Sequence, residues 1–439
     1  MILNNAFVYR NGRMEQQNYE LKVGGVGFLS DFNRLCIFPA FCDVHVHFRE
    51  PGFSYKETIR TGSLAAARGG YTDVCTMPNL NPVPDSAENI KEQIEIIEKD
   101  AAVRVHPYAA ITVGEKGETL TNMKALAPYC AAFSDDGRGV QSEDMMREAM
   151  IKAKALGKII AAHSEDNSLL CGGYIHKGEY ARLHGHKGIC AESERKPIER
   201  DLRLAKETGC KYHVCHISCK ESVELIRKAK AEGVDVTCET APHYLALSDE
   251  ALLKYGTLAK MNPPLRSEAD RKATIAAIAD GTVDLLATDH APHTLAEKEL
   301  GFLDAPNGII GLECAYGVCH KVLVDGGFIS DERLIELMST GPAELMGHDK
   351  TDITAVLDDY ADAVPGDDDT KRVLDLGRVP ESDQVDLVVL NTGEEWTVDP
   401  EKFHSSARNT PFGGWQVTGR PLATIIGSKL AFSRIDKED

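Results

Sequence analysis

Apolar positions along this chain fall into two alternating rhythms. Short apolar runs at residues 42–48, 73–77, 104–109, 131–134, 159–163, 212–217, 234–239 and 283–288 predict β-strands. Between them, residues 57–67, 86–99, 143–154, 198–207, 221–231 and 268–280 carry the three-to-four-residue spacing that predicts amphipathic helices. Strand and helix alternating about eight times predicts an α/β fold of the (β/α)8 TIM-barrel type, with a doubly wound sheet as the structural alternative. The chain ends read differently, as short β-rich runs broken by glycine and proline at 385–390, 416–418 and 422–427. Residues 1–39 and 384–439 are therefore expected to form one small β module flanking a catalytic barrel at 40–348. Residues 349–383 are rich in aspartate, including Asp358, Asp359, Asp367, Asp368 and Asp369. They lack the alternating ligands and central glycine of a calcium loop, and are expected to be an acidic insertion forming a solvated surface loop or short helix.

Composition narrows the function classes. The 439 residues suffice for one large domain plus a smaller module, and 43% hydrophobic with 27% charged content is ordinary for a globular protein. A net charge of −19 argues against nucleic acid or an anionic membrane surface as partner. It does not bar an anionic substrate, because one arginine can dominate inside a pocket. The twelve cysteines are scattered, mostly in apolar runs, and form no Cys-x-x-Cys pair. Cys215 and Cys219, four apart, have no second pair to complete a zinc site. Free buried thiols suit a reducing compartment. With no signal-peptide pattern at the start and no apolar run of membrane-spanning length, a cytoplasmic protein is expected.

The candidate chemistry lies where predicted strands end. Asp43-Val44-His45-Val46-His47-Phe48-Arg49-Glu50-Pro51-Gly52 closes the first strand. His45, His47 and Arg49 share parity and so one face, putting two potential metal ligands beside a guanidinium suited to an anion. Asn79 follows the second strand, Asp135 and Asp136 the fourth, His163 the fifth, His216 the sixth and Asp289 the eighth. A single histidine at a strand end is usually a hydrogen-bonded core or loop residue, and a single aspartate an N-cap. Four histidines and two carboxylates at successive ends point instead to a two-metal site. Parity groups His216 with Tyr212 and Val214 on the inward face and turns His213 toward the helices. It likewise aligns Asp289 with Leu285 and Ala287 and puts His290 on the opposite side. His213 and His290 are therefore expected to be structural.

The run Asp43–Gly52 resembles the signature of the dihydroorotases, in the amidohydrolase superfamily. The runs Phe133-Ser134-Asp135-Asp136-Gly137-Arg138-Gly139-Val140-Gln141, Met261-Asn262-Pro263-Pro264-Leu265-Arg266, Ala287-Thr288-Asp289-His290-Ala291-Pro292-His293-Thr294 and Ala305-Pro306-Asn307-Gly308-Ile309-Ile310-Gly311-Leu312-Glu313 are similar to that family too. The resemblance runs in order from about residue 35 to 345, resumes near Val385, and is to the bacterial class I type. It implies two zinc ions per subunit, one held by His45, His47 and Asp289 and the other by His163 and His216. Asp136 would bridge them where many relatives use a carboxylated lysine; Asp135 is the fallback for that role. The resemblance further implies Asp289 as general base and then general acid. Arg49, Asn79 and His293, with His47 beside them, would bind the substrate carboxylate, while Asn262 and the Asn307-Gly308 backbone would read the ring amides. The implied reaction is the reversible cyclisation of N-carbamoyl-L-aspartate to (S)-dihydroorotate in pyrimidine biosynthesis.

As partners the resemblance brings a second copy of the chain, in a homodimer, and aspartate transcarbamoylase; the sequence leaves both open. The chain departs from the family in its short N-terminal β segment, in Ala40 where glycine is usual, and in the acidic insertion. Two rival functions remain: another cyclic amidohydrolase such as a hydantoinase or allantoinase, and a non-catalytic dihydroorotase-like partner of the transcarbamoylase. Residues 296–307, long for a βα connection, are expected to close over the site.

Overall fold

A computed structural model describes residues 2–10, 12–23, 29–30, 34–347, 353–365 and 370–434. The fold is α/β, and the strands that carry the candidate residues run parallel. Phe41–Val46, Tyr71–Thr76 and Arg104–Pro107 form one parallel sheet. Ala109–Ala110, Phe133–Ser134, Ile160–Ala162, Tyr212–Val214, Val236–Thr240 and Leu285–Leu286 form a second. All eight predicted strands are present; the third is split at Tyr108, whose N–H bonds Thr76 on one side while Ala109 N–H bonds Ala132 on the other.

Sequence dictates the helices between them. Ser86 caps Ala87–Asp100 and Ser142 caps Glu143–Ala155 through bonds to the third backbone N–H. A Thr58/Thr61 capping box opens Ile59–Gly69, two residues later than the periodicity suggested. That leaves Glu57 outside the helix and buried. One sheet face packs on the helices, with Tyr71, Val74, Ile160, Tyr212 and Val214 meeting Ala66, Ile90, Met146, Ile198, Val223 and Ile278. The other faces meet in a separate cluster of Cys42, Val44, Cys75, Met77, Tyr108, Ala161, Cys215, Leu285 and Ala287.

Both chain ends build one nine-stranded sheet. Ile2–Arg10, Arg13–Lys22 and Leu35–Pro39 join Leu387–Thr397, Gln416–Ile426 and Lys429–Ser433. Its apolar core includes Val8, Ile37, Leu387, Val389, Leu422 and Ile425. The acidic stretch, expected to be a solvated surface loop or short helix, does contain a short helix, but it packs on this core instead of standing free in solvent. Ile353–Tyr360 is a helix whose Ile353, Val356 and Leu357, spaced three and four apart, enter that core while Asp358 and Asp359 stay in solvent. Ala361–Pro365 and Thr370–Asp375 extend the sheet beyond Arg13–Lys22. Aspartate content masked an apolar face; Asp367, Asp368 and Asp369 lie outside the described residues. A charged seam ties this sheet to the parallel strands: Arg104 donates to Asp73 at 2.9 and 2.7 Å and also pairs with Asp386.

Candidate active site

The reactive groups gather beyond the C-terminal ends of the parallel strands. On the first strand, Cys42 and Val44 belong to the interior cluster, and the pairing register shifts between Asp43 and Val46. After the shift Val46 and Phe48 pack outward while His45 and His47 turn in. Asp43 makes the shift rigid. It accepts from His45 N–H at 3.0 Å and from the Thr288 hydroxyl at 2.6 Å, stitching the first strand to the last. Burial pushes the Asp43 carboxyl up to about 7.

Two positions reach the site through left-handed backbone, His216 at φ +34° and Asp289 at φ +47°. Such a conformation costs a side-chain-bearing residue on the order of 1–3 kcal/mol and is found where a site demands it. It corrects the parity argument for His216. Tyr212 and Val214 face the helices, and His213 is the residue that turns inward, its Nε2 3.0 Å from Glu239 Oε2. His216 enters because the strand has ended and the chain has turned. Asp289 keeps the expected face, and His290 is turned to Glu57, 3.4 Å away, and to the N–H of Gly311.

The six residues expected around metal come together. Asp136 Oδ1 lies 3.5 Å from His45 Nε2 and 3.6 Å from both His163 Nδ1 and His216 Nε2. Asp289 Oδ1 lies 3.0 Å from His47 Nε2 and 3.6 Å from His45 Nε2. Asp136 is thereby separated from Asp135, whose carboxylate is turned away to accept from the N–H groups of Ile111 and Thr112 and the Thr112 hydroxyl.

Two buried atoms that face one another across this group, His45 Nε2 and Asp136 Oδ1, have no hydrogen-bond partner. Buried polar atoms are rarely left so. His47 Nε2 and Asp289 Oδ1, and His163 Nδ1 and His216 Nε2, lie 3.0 Å apart, and imidazole nitrogens and carboxylate oxygens converging in this way are the donor set a divalent cation takes. His45, Asp136 and His216, and separately His45, His47 and Asp289, lie close enough to share an ion. Cys215 and Glu239 also lie near His45, and burial pushes the Cys215 thiol up. Burial resists charge on His45, yet Glu239, Asp289 and Asp136 outweigh it and raise its pKa well above the ordinary value. Burial likewise opposes ionisation of Asp136 and Asp289, and the surrounding histidines override it to hold both below the carboxylate range.

Beside this group stands a cationic corner. Arg49 donates to Asn79 Oδ1 at 3.3 Å, and its Nη2 is 3.4 Å from His293 Nε2. Asn79 also meets His47 Nδ1 at 3.0 Å and donates to Asp136 Oδ2 at 3.1 Å, joining the corner to the metal-type cluster. Burial lowers the Arg49 pKa to about 10, so the guanidinium remains charged near neutrality. Burial, with Arg49 and Lys56 adjacent, holds His293 neutral. Asn262 touches His163 Nε2 at 3.3 Å, and the other end of its amide has no partner. Asn307 is exposed. Gly308 differs from expectation: its N–H bonds Lys260 O and its carbonyl accepts from Asn409 and Lys298, so neither backbone group is free to read a ligand.

A family model described as dihydro-orotase-like matches residues 34–222. The chain is 47% identical to the dihydroorotase of Enterococcus faecalis, over 92% of this chain and 88% of that protein. It is 42% identical to the dihydroorotase of Fusobacterium nucleatum, over 100% and 99%. The chain belongs to the dihydroorotase family. Among solved structures, an L-hydantoinase (dihydropyrimidinase) from Arthrobacter aurescens superposes with a TM-score of 0.80 at 23% identity, covering 99% of this chain and 96% of that one. A dihydropyrimidinase from Brevibacillus agri gives 0.76 at 20% identity, over 99% and 95%. At that identity the likeness is one of fold.

Two residues that sequence reasoning passed over also adjoin this cluster. Glu239 accepts at His45 Nδ1, 2.6 Å away, and also binds the His213 ring and the His216 backbone N–H, so one carboxylate orients the His45 ring and anchors the turn that carries His216. Its signal was available, because Glu239 ends a predicted strand as Asp136 and His163 do. Lys56, 3.1 Å from His293 Nδ1 and paired with Glu297 at 2.9 Å, carried no such signal. Among the described residues, no helix is long and apolar enough to cross a membrane.

Proposed function

We propose that this chain is a metal-dependent dihydroorotase that interconverts N-carbamoyl-L-aspartate and (S)-dihydroorotate in pyrimidine biosynthesis. The observation that carries this over a generic cyclic amide hydrolase is the Arg49–Asn79–His293 corner against the His/Asp cluster. A ring bearing a carboxylate satisfies both at once, whereas hydantoin and allantoin have no carboxylate for the corner.

We read the two parallel sheets as arcs of one (β/α)8 barrel. The parallel bridge between Val46 and His290 supports this on one side, and the Ala131 N–H to Pro107 O bond on the other. Residues 40–348 would then be the catalytic domain, and the terminal sheet its flanking module. Four imidazoles and two carboxylates suit two zinc ions, His45, His47 and Asp289 for one and His163 and His216 for the other, with Asp136 between. Zinc there would polarise the scissile amide carbonyl and acidify water.

The chain's own groups do the rest. Arg49 forms a charge-assisted pair with the substrate carboxylate, flanked by Asn79 and His293. The unpartnered end of the Asn262 amide reads a ring amide. In ring opening, Asp289 accepts the proton of the attacking water at its carboxylate and returns it to the departing ring nitrogen; cyclisation reverses both transfers. Glu239 keeps His45 in one tautomer. Unpaired thiols at all twelve cysteines support a cytoplasmic setting. A homodimer and an association with aspartate transcarbamoylase belong to the same reading, checked by sedimentation with and without that partner.

Assaying dihydroorotate, hydantoin and allantoin side by side, with metal content measured on the same sample, tests the proposal. Turnover should be confined to dihydroorotate and carbamoyl aspartate, and Arg49→Ala should raise KM for dihydroorotate about 100-fold, ~2.7 kcal/mol of lost binding. Preferential turnover of hydantoin, or bound zinc with no turnover at all, would overturn it.

A further inference from the structure

The neutral and basic groups that hold the substrate corner from behind have no part in the chemistry above. Asn409 comes from the C-terminal part of the chain and is fully buried. Its Oδ1 accepts from His293 N–H at 3.0 Å, and its Nδ2 donates to Ala291 O and Gly308 O, each at 3.0 Å. Its own carbonyl accepts from Ile310 N–H at 3.1 Å. One amide thus bridges the segment carrying His293 and the segment carrying Gly308.

Lys298 grips the same loop from the other side. It is 1% exposed, and its ammonium donates to Lys260 O at 3.2 Å, Pro306 O at 2.9 Å and Gly308 O at 3.0 Å. All three of its donors end on backbone carbonyls. Burial lowers the Lys298 pKa to about 7, and charged or neutral its buried nitrogen keeps these carbonyl partners only with the loop in this conformation. Lys260 adds a bond from its own ammonium to Ala305 O. Gly308, at φ +151°, leaves no room for a side chain: a Cβ would lie 2.6 Å from Ala291 O and 2.7 Å from His293 Cδ2. The loop backbone therefore presses on the His293 ring, which in turn faces Arg49.

We infer that Asn409 and Lys298 are positioning residues for substrate capture: by clamping residues 305–308 against His293 they set where that imidazole stands beside Arg49. The inference rests on the dihydroorotase reading of the Arg49 corner. It makes the C-terminal segment part of the binding machinery, and it leaves Asp289 and the histidine cluster untouched. A displacement of about 1 Å at such a contact is enough to weaken capture strongly.

The test measures kcat and KM for dihydroorotate, zinc content and Tm in the wild-type holoenzyme, in Asn409→Ala and in Lys298→Met. We expect KM to rise about tenfold or more in both, with kcat within about threefold and zinc content unchanged. Asn409→Asp keeps the acceptor for His293 and loses both donations, and it reads the same coupling if Asn409→Ala does not fold. An unchanged KM, or a fall in kcat and zinc content at constant KM, would overturn the inference while wild-type turnover keeps the function standing. A zinc-loaded wild type inert toward dihydroorotate would instead remove the function itself.

Discussion

The strand ends that hold the histidines and the sheet built from the chain termini are both buried, yet they are assembled on opposite principles. At the strand ends, His45 Nε2, Asp136 Oδ1 and His216 Nδ1 are out of water with no hydrogen-bond partner, and His216 and Asp289 sit in left-handed backbone. In the terminal sheet, Val8, Ile37, Leu387, Val389, Leu422 and Ile425 fill an aliphatic core along regular ladders. One region holds groups whose burial opposes folding, and the other supplies apolar burial that favours it. Stability and chemistry are thus separated in space, with the Arg104–Asp73–Asp386 seam joining the parallel strands to the sheet.

Three substitutions probe that separation. Asp289→Ala should lower kcat on the order of 10³-fold, ~4 kcal/mol, while much of the metal stays bound; near-normal turnover would place the proton shuttle elsewhere. Leu422→Ala, in the aliphatic core, should cost about 2–5 kcal/mol in denaturant unfolding with kcat and KM per folded molecule unchanged. A parallel loss of kcat would show that the terminal sheet shapes the site and would collapse the distinction.

The smallest effect belongs to the seam. Burial would raise the Asp73 carboxyl, but His106 and Arg104 outweigh it and hold its pKa below the ordinary value. The stability this carboxylate contributes is therefore present above its unfolded pKa of about 3.9 and is lost as pH falls through the lower folded value. Arg104 is partly exposed, so Asp73→Asn should cost only about 1 kcal/mol at neutral pH. The gap from wild type should narrow below about pH 4 in acid-unfolding curves; a gap that widens there would reverse the sign.

The site was more legible than its mechanics. His45, His47, His163 and Asp289 stand where strand-end reasoning put them, because a parallel α/β sheet brings those ends together whatever the loops do. His216 is in the site for a different reason than parity supplied: the turn at φ +34° is a local backbone choice that no side-chain alternation encodes. The first strand shows the same limit, since the register shift between Asp43 and Val46 depends on the Thr288 partner about 245 residues away. A short helix was among the expectations for the acidic stretch, but the burial of Ile353, Val356 and Leu357 against the terminal sheet was hidden by the aspartates around them.

By itself, then, the sequence determined the α/β pattern, the paired chain ends and the inventory of imidazoles and carboxylates, all of which follow from local periodicity and residue chemistry. Only the tertiary structure decided that Asp136 rather than Asp135 faces the histidines, that Glu239 orients the His45 ring, and that Asn409 reaches across to His293. Those assignments depend on which buried donor finds which acceptor across distant segments. Burial makes each such pairing nearly obligatory once the chain has folded, and leaves it unmarked before.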